Sequence, residues 1–352
     1  MSLAVTVLKN SAVLLLFLLF ISCGTKNKEY ANNVFPYSQF PQEKELKGEV
    51  IELDTALFRY PFRIRIEGDK AIVLDLHGSD YYGHLFQYPS FRYLSSFGRR
   101  GDSPLEMLSM ENFRLHNHTL WTLDANKSEL TRLDFSSSGD SLLREETVAL
   151  DEDILRPLDF AIYNDTTFVI PDYSGESRFL KVDCKGKLIE KIGTIPTTNK
   201  KALQEARPAL AQAWRSFLDY NSHNSVLATV TQLGEVVEIY NLKDSTHVIR
   251  VGEYDEPEFK VSDGYGIPTG IMGFSDVQVT DDAIYAVFHG TSFKDIARQS
   301  GRLSDGGKYI YVFSLKGEPL CKYALDHYIY GIWVDEVTKT IMATDVNNDQ
   351  PI

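Results

Sequence analysis

Cysteine is scarce in this chain of 352 residues: Cys23, Cys184 and Cys321 are all there are. With Cys23 in the N-terminal leader, two distant cysteines make no disulfide framework. Cys184, in a turn, and Cys321, in a strand, are expected as free thiols. Basic charge is also short, with 36 Lys and Arg against 49 Asp and Glu for a net charge of −13. A phosphate backbone wants a basic face, so nucleic acid is not an expected partner. No glycine-rich phosphate loop precedes a helix and no Gly-x-Ser-x-Gly elbow occurs, which removes the commonest nucleotide-binding and serine-hydrolase signatures. His116-x-His118 puts two imidazoles two residues apart. On a strand they share a face, but zinc needs at least three protein ligands and no third stands nearby. A turn through Asn117 is the expected meaning, and no cofactor or metal is expected.

Long apolar runs are missing apart from one, Ala12 to Ile21, which is shorter than the roughly 20 residues of a membrane span. Lys9 is the sole charge before residue 26, and the run leads into Leu19-Phe20-Ile21-Ser22-Cys23-Gly24. This looks like a bacterial lipoprotein lipobox, although Phe20 stands where a small or aliphatic residue is favoured. The likeness implies a signal peptide over 1–22, lipidation of Cys23 and a bilayer anchor at the outer membrane, facing the periplasm or the cell surface. Residues 23–47 then read as a polar tether whose composition resists folding alone.

Aromatic residues are plentiful, 19 Tyr and 20 Phe, and rings fit a pleated, half-buried surface. From Gly48 onward short period-2 strands alternate with turn residues, the pattern of an all-β fold. Arg63-Ile64-Arg65-Ile66-Glu67 alternates, and Ala71 to Asp75 reads as a buried inner strand. Equivalent strands recur around Leu120–Asp124, Thr167–Asp172, Asn224–Thr231 and Ala283–Phe288, with turns near 90, 139, 186, 243 and 317. A repeat of about 50 residues with four strands is a propeller blade. The count reaches six blades over 48–352, the last written only as Ile329–Asp335 and Thr340–Asp345. Closure is expected from Glu49–Asp54 pairing into that last blade, which would leave no free sheet edge. Three insertions lengthen the later repeats, near 196–218, 255–270 and 290–307. The first holds helix-favouring residues interrupted by Pro208, and the other two read as polar, glycine-rich loops.

Between the first two repeats lies Phe97-Gly98-Arg99-Arg100-Gly101-Asp102-Ser103-Pro104-Leu105-Glu106. Gly98, Gly101 and Pro104 are shaped-turn residues, and Glu106 is placed to accept backbone donors within the turn. Arg99 and Arg100 are not required by turn geometry, which makes them the candidates there for binding a partner. The Arg100-Gly101-Asp102 tripeptide is taken as turn composition. With its lipobox, four-stranded units, this turn and the Trp121–Asp124 strand, residues 48–352 resemble the TolB-like or NHL-like six-bladed propeller lipoproteins of gut Gram-negative anaerobes. That family's turn carries a further glycine where Ser103 stands here. The resemblance implies a surface or periplasmic protein that binds an undefined ligand, without catalysis. The partners in view are an envelope protein, a peptide or a glycan.

The alternative function is a calcium-dependent hydrolase at the propeller axis, built on Asp75, Asp124, Asp172 and Asp345 at strand ends. Repetition in every unit favours a turn-fixing role for these residues. His77, His289 and His327 also recur near strand ends. Four Asp-Ser/Thr pairs, at Asp54, Asp140, Asp165 and Asp244, resemble an O-glycosylation signal of such anaerobes, and all fall at expected turns.

Overall fold

The computed structural model describes residues 31–53, 58–298 and 304–352. The lipobox with Cys23 and the Asp54-Thr55 pair lie outside them. Five antiparallel sheets, here blades I to V, cover residues 61–99, 110–149, 161–192, 216–251 and 274–329. The innermost strands are Pro61–Glu67, Met110–His116, Ala161–Asn164, Ser216–Asn221 and Phe274–Val279. A two-stranded sheet, Ile332–Asp335 with Thr340–Ala343, follows blade V. Its first strand touches the inner strands of both blade V and blade I, so the inner strands contact one another in a closed ring.

Burial explains the strand chemistry. Each second strand is sandwiched between two neighbouring blades and is apolar on both faces. In Lys70–Asp75, Ile72 and Leu74 join one core cluster, while Ala71 and Val73 join another. That run is therefore the second strand of blade I. The innermost strand is Pro61–Glu67, which carries Arg63 and Arg65. The expected order is thus corrected: apolarity marks the strand between blades, and the strand at the axis can be polar.

The N-terminal segment also differs from expectation. Val34–Pro36 adds in parallel to the outer strand of blade IV, and Glu43–Leu46 adds in parallel to that of blade V. The described part of the expected tether is thus bound to the propeller, because two outer strands offer unpaired backbone groups. The closing stretch forms no ladder. Ile51 donates its amide to Ile352 O at 2.7 Å and Leu53 donates to Gln350 Oε1 at 2.8 Å. Around them Ile51, Leu53, Trp333, Met342 and Ile352 pack against Ile64, Val73 and Phe86 of blade I.

The insertions carry structure of their own. Pro208 begins a second helix: Asn199 caps Lys200–Glu205 by accepting from the Ala202 amide, and Arg207–Ala213 follows with proline in its first turn, where a missing donor costs nothing. The expected polar loop at 255–270 is a hairpin, Phe259–Ser262 against Tyr265–Pro268, turning at Asp263 and Gly264 with φ of 51° and 84°. Such angles are what a two-residue hairpin turn requires. The third insertion contains a short helix, Phe293–Arg298.

The 98–106 stretch connects blades I and II. Arg100 N donates to Asp80 O, Met107 N to Arg99 O and Gly101 N to Met107 O. Gly98 and Gly101 have φ of 65° and 153°, and a Cβ on Gly101 would lie 2.0 Å from Glu106 Oε2. Gly101→Ala is expected to lower stability by about 1–2 kcal/mol, chiefly through backbone strain, since the Glu106 carboxylate can swing away. A urea midpoint unchanged from that of the parent would contradict this.

Candidate functional site

The connections that lead from one blade to the next leave the same end of the sheets as the loops joining second to third strands. The first two insertions are blade-to-blade connections, III to IV and IV to V, and the third joins the second and third strands of blade V. All three therefore sit on one face of the propeller. Leu105, Leu108, Leu155, Tyr265 and Ile267, all exposed, lie on connections at this face. The Asp-Ser/Thr pairs at Asp140, Asp165 and Asp244, expected at turns, occupy strand-to-strand turns at the opposite end.

Beneath the loop-bearing face the axis is filled. Asp276 receives Arg65 through two hydrogen bonds of 3.1 Å, lies 3.3 Å from Arg63 Nε, and accepts the amides of Ile332 and Val277 at 2.9 Å. Arg65 also donates to Ile332 O at 2.7 Å. Burial pulls the Arg63 guanidinium down to about 10, against the opposing pull of Asp276, and its plane lies over the Phe62 and Phe217 rings at 4.1 and 4.6 Å. A second pair, Arg114 to Asp159 at 2.6 Å, binds Asn112 and the Leu218 backbone. None of these residues stood out in the sequence as a site. Their signal is the pair of arginines on an inner strand, which the neighbouring blades bury.

Above the plug, Tyr60 and Tyr330 meet at a ring separation of 5.5 Å, with His77 against Tyr60 and His289 against Tyr330. Tyr60 donates to Asp305 at 2.5 Å. Two of the three singled-out histidines thus flank the same mouth, while His327 lies on the outer strand of blade V beside Gly48. Next to the mouth opens a cleft of about 260 Å³ lined by Leu155, Arg156, Tyr173, Pro208, Arg215 and Tyr265. It draws on the connection from blade II to III, on the second helix and on the hairpin. Its walls are apolar, and its charged lining is two guanidiniums. Arg215 has Glu111 as a partner at 3.5 Å; Arg156 is exposed and pairs with no described residue. The Tyr173 hydroxyl has no hydrogen-bond partner among the described residues, and burial pushes it up to about 12.

The residues singled out in the 98–106 stretch lie on this same face. Arg100 is tied down, donating to Leu76 O and stacking on Tyr82 at 3.8 Å. Arg99 is exposed and lies 3.5 Å from Glu106, whose carboxylate also accepts the Ser103 amide. The strand-end aspartates are spent on turns. Asp75 accepts the amides of Arg59, Tyr60 and His77, Asp124 those of Leu108, Ser109, Asn126 and Lys127, and Asp172 those of Ser174 and Ser177. Asp345 accepts from Asn347. His116 pairs with Asp165 at 2.8 Å and His118 faces Glu67, on a turn with positive φ at Asn117 and His118. Among the described residues no three His, Cys, Asp or Glu side chains gather as a metal site, and no helix is long and apolar enough to cross a membrane.

A ring of antiparallel blades with its loops gathered over a plugged axis defines a β-propeller. The TolB-like 6-blade propeller-like family matches residues 39–337, and the chain belongs to that family. Among solved structures it is similar to a member of the duf4221 family from Bacteroides vulgatus, with 11% identity, TM-score 0.52, and coverage of 84% of this chain and 89% of that one. It is likewise similar to an auxiliary nutrient binding protein from Bacteroides ovatus, with 10% identity, TM-score 0.52, and coverage of 84% and 68%. These likenesses concern the fold. No curated protein sequence matches the chain.

Proposed function

We propose that this protein is a lipid-anchored, non-catalytic binding protein of the cell envelope, with its ligand seated in the cleft beside Arg156 and Arg215. In this reading the propeller has six blades, the hairpin at 332–343 being the sixth with residues 48–53 alongside. Cys23 carries the lipid and holds the protein at the outer membrane. The observation that carries the proposal is the convergence of the second helix, the hairpin and the connection from blade II to III on one cleft of the loop-bearing face, since loops on a rigid scaffold usually carry recognition. The auxiliary nutrient binding protein of similar fold is consistent with such a role. Apolar walls with two guanidiniums suit a peptide or glycan bearing an acidic group.

Binding of the full chain to arrays of carboxylated, sulfated and neutral glycans and peptides tests the reading. The expected hits are acidic, and Arg156→Ala weakens them about tenfold, as loss of one charge-assisted hydrogen bond would. Neutral hits that ignore this substitution would overturn the cleft assignment. In the parent cells, Cys23→Ser should move the protein from the membrane fraction to the soluble one.

A further inference from the structure

A second cleft, of about 260 Å³, lies between blades IV and V under residues 252–256 and 289–291, with the N-terminal segment from Tyr37 to Glu43 as its outer wall. Its chemistry is opposite to that of the cleft beside Arg215. Aromatic rings make the walls: Phe288 stacks on Tyr311 at 4.7 Å, Phe40 meets Tyr311 at 4.7 Å, and Tyr254 meets Phe288 at 6.0 Å. Carboxylates of Glu43, Glu235 and Glu253 line it. Glu235 is buried and receives the Tyr37 hydroxyl at 2.8 Å and the Tyr254 amide at 3.1 Å.

Two further observations point to a ligand. His289 also lines the cleft; it is 8% exposed, and its Nε2 has no hydrogen-bond partner among the described residues. Buried polar atoms are normally satisfied, and this one, itself out of reach of solvent, is left without a partner in a residue of the cleft wall. The cleft also already holds one cation at its edge, Lys322, whose Nζ lies 4.6 Å from the Tyr309 ring centre and 3.9 Å from Glu43. That arrangement is an intramolecular instance of an ammonium on an aromatic wall beside a carboxylate. Glu253 forms no ion pair with any described residue, and its charge adds to burial in holding the Glu235 carboxyl above the usual range. A cation between the two would relieve that repulsion.

We infer that this cleft binds an organic ammonium group, seated between Glu235 and Glu253 against the Tyr254, Phe288 and Tyr311 rings. Its volume is at the small end for ligand sites, which fits a single alkylammonium or a lysine side chain. The inference is independent of the cleft at Arg215, whose guanidiniums would repel such a ligand.

Calorimetric titration of the full chain with n-pentylammonium, pentan-1-ol and the peptide Gly-Lys-Gly-amide tests it. Pentylammonium should bind saturably and about tenfold or more tighter than pentanol, whose hydrocarbon is the same but whose head is neutral. Glu253→Gln and Tyr254→Leu, both at exposed positions, should each weaken it about fivefold or more while leaving the urea midpoint unchanged. Tighter binding of the peptide would identify a protein lysine as the source, and tighter binding of pentylammonium a free amine; either supports the ammonium site. No saturable heat, equal affinity for pentanol, or indifference to both substitutions would overturn it.

Discussion

Asp276→Ala is expected to destabilise the protein by about 3–5 kcal/mol, the range for removing one partner of a fully buried ion pair. The reason lies less in the attraction lost than in what remains. Arg63 and Arg65 both lean on this carboxylate, at 3.3 and 3.1 Å, and neither can reach water to recover its solvation. Two like charges would then face each other in the axis, and the Ile332 amide would lose its acceptor. Position raises the stakes. Asp276 is in blade V, Ile332 in the terminal hairpin and Arg65 in blade I, so this one carboxylate joins the elements at which the ring closes. Urea unfolding at neutral pH checks it, with Arg132→Ala as the comparison. Arg132 pairs with Asp134 and Glu146 at half-exposed positions, where such pairs contribute about 0–1 kcal/mol. Similar midpoints for the two variants would sink the claim that the axial network closes the propeller.

Much of the scaffold was legible because period-2 alternation and turn residues are local signals. The repeat, the blade-to-blade role of the 98–106 stretch and the places of the insertions all follow from neighbours in sequence. What escaped was set at long range. Arg63-Ile64-Arg65-Ile66 has the pattern of a strand with one solvated face, and nothing nearby shows that its partner is Asp276, 211 positions away. Val34–Pro36 and Glu43–Leu46 are too short to read as strands, and become so by pairing with edges at 249–251 and 322–325. The hairpin at 259–268 is a different case: Asp263-Gly264 between Val261 and Tyr265 is a hairpin signal in itself. Both clefts assemble side chains from several connections, so their residue types could be counted in the sequence but not their convergence.

The second large effect is on acid stability, and it separates into two windows. His289 is buried, which pushes its imidazole down from 6.5 to about 4, with Asp305 opposing weakly. The unfolded chain therefore takes up a proton near pH 6.5 that the folded chain refuses until about pH 4. Stability from this group is complete above pH 6.5 and is lost as pH falls through the folded value, by about 3 kcal/mol in all. Glu238 acts lower. Burial alone would raise it, but the Arg178 charge at 2.7 Å, together with His247, outweighs burial and holds it at about 2 against an ordinary 4.5. Its contribution is complete above pH 4.5 and is lost from there downward. Glu235, held above its ordinary value by burial, has the opposite sign, gaining stability for the fold as it protonates, so the raw pH curve blends these groups. The His289 share is isolated by subtraction: the stability difference between the parent and His289→Gln, measured by urea unfolding from pH 7.5 to pH 4, should fall by about 3 kcal/mol across that range. A difference that stays constant with pH would show that His289 takes up its proton as readily in the fold as in the unfolded chain, and that the wall of the ammonium cleft is wet.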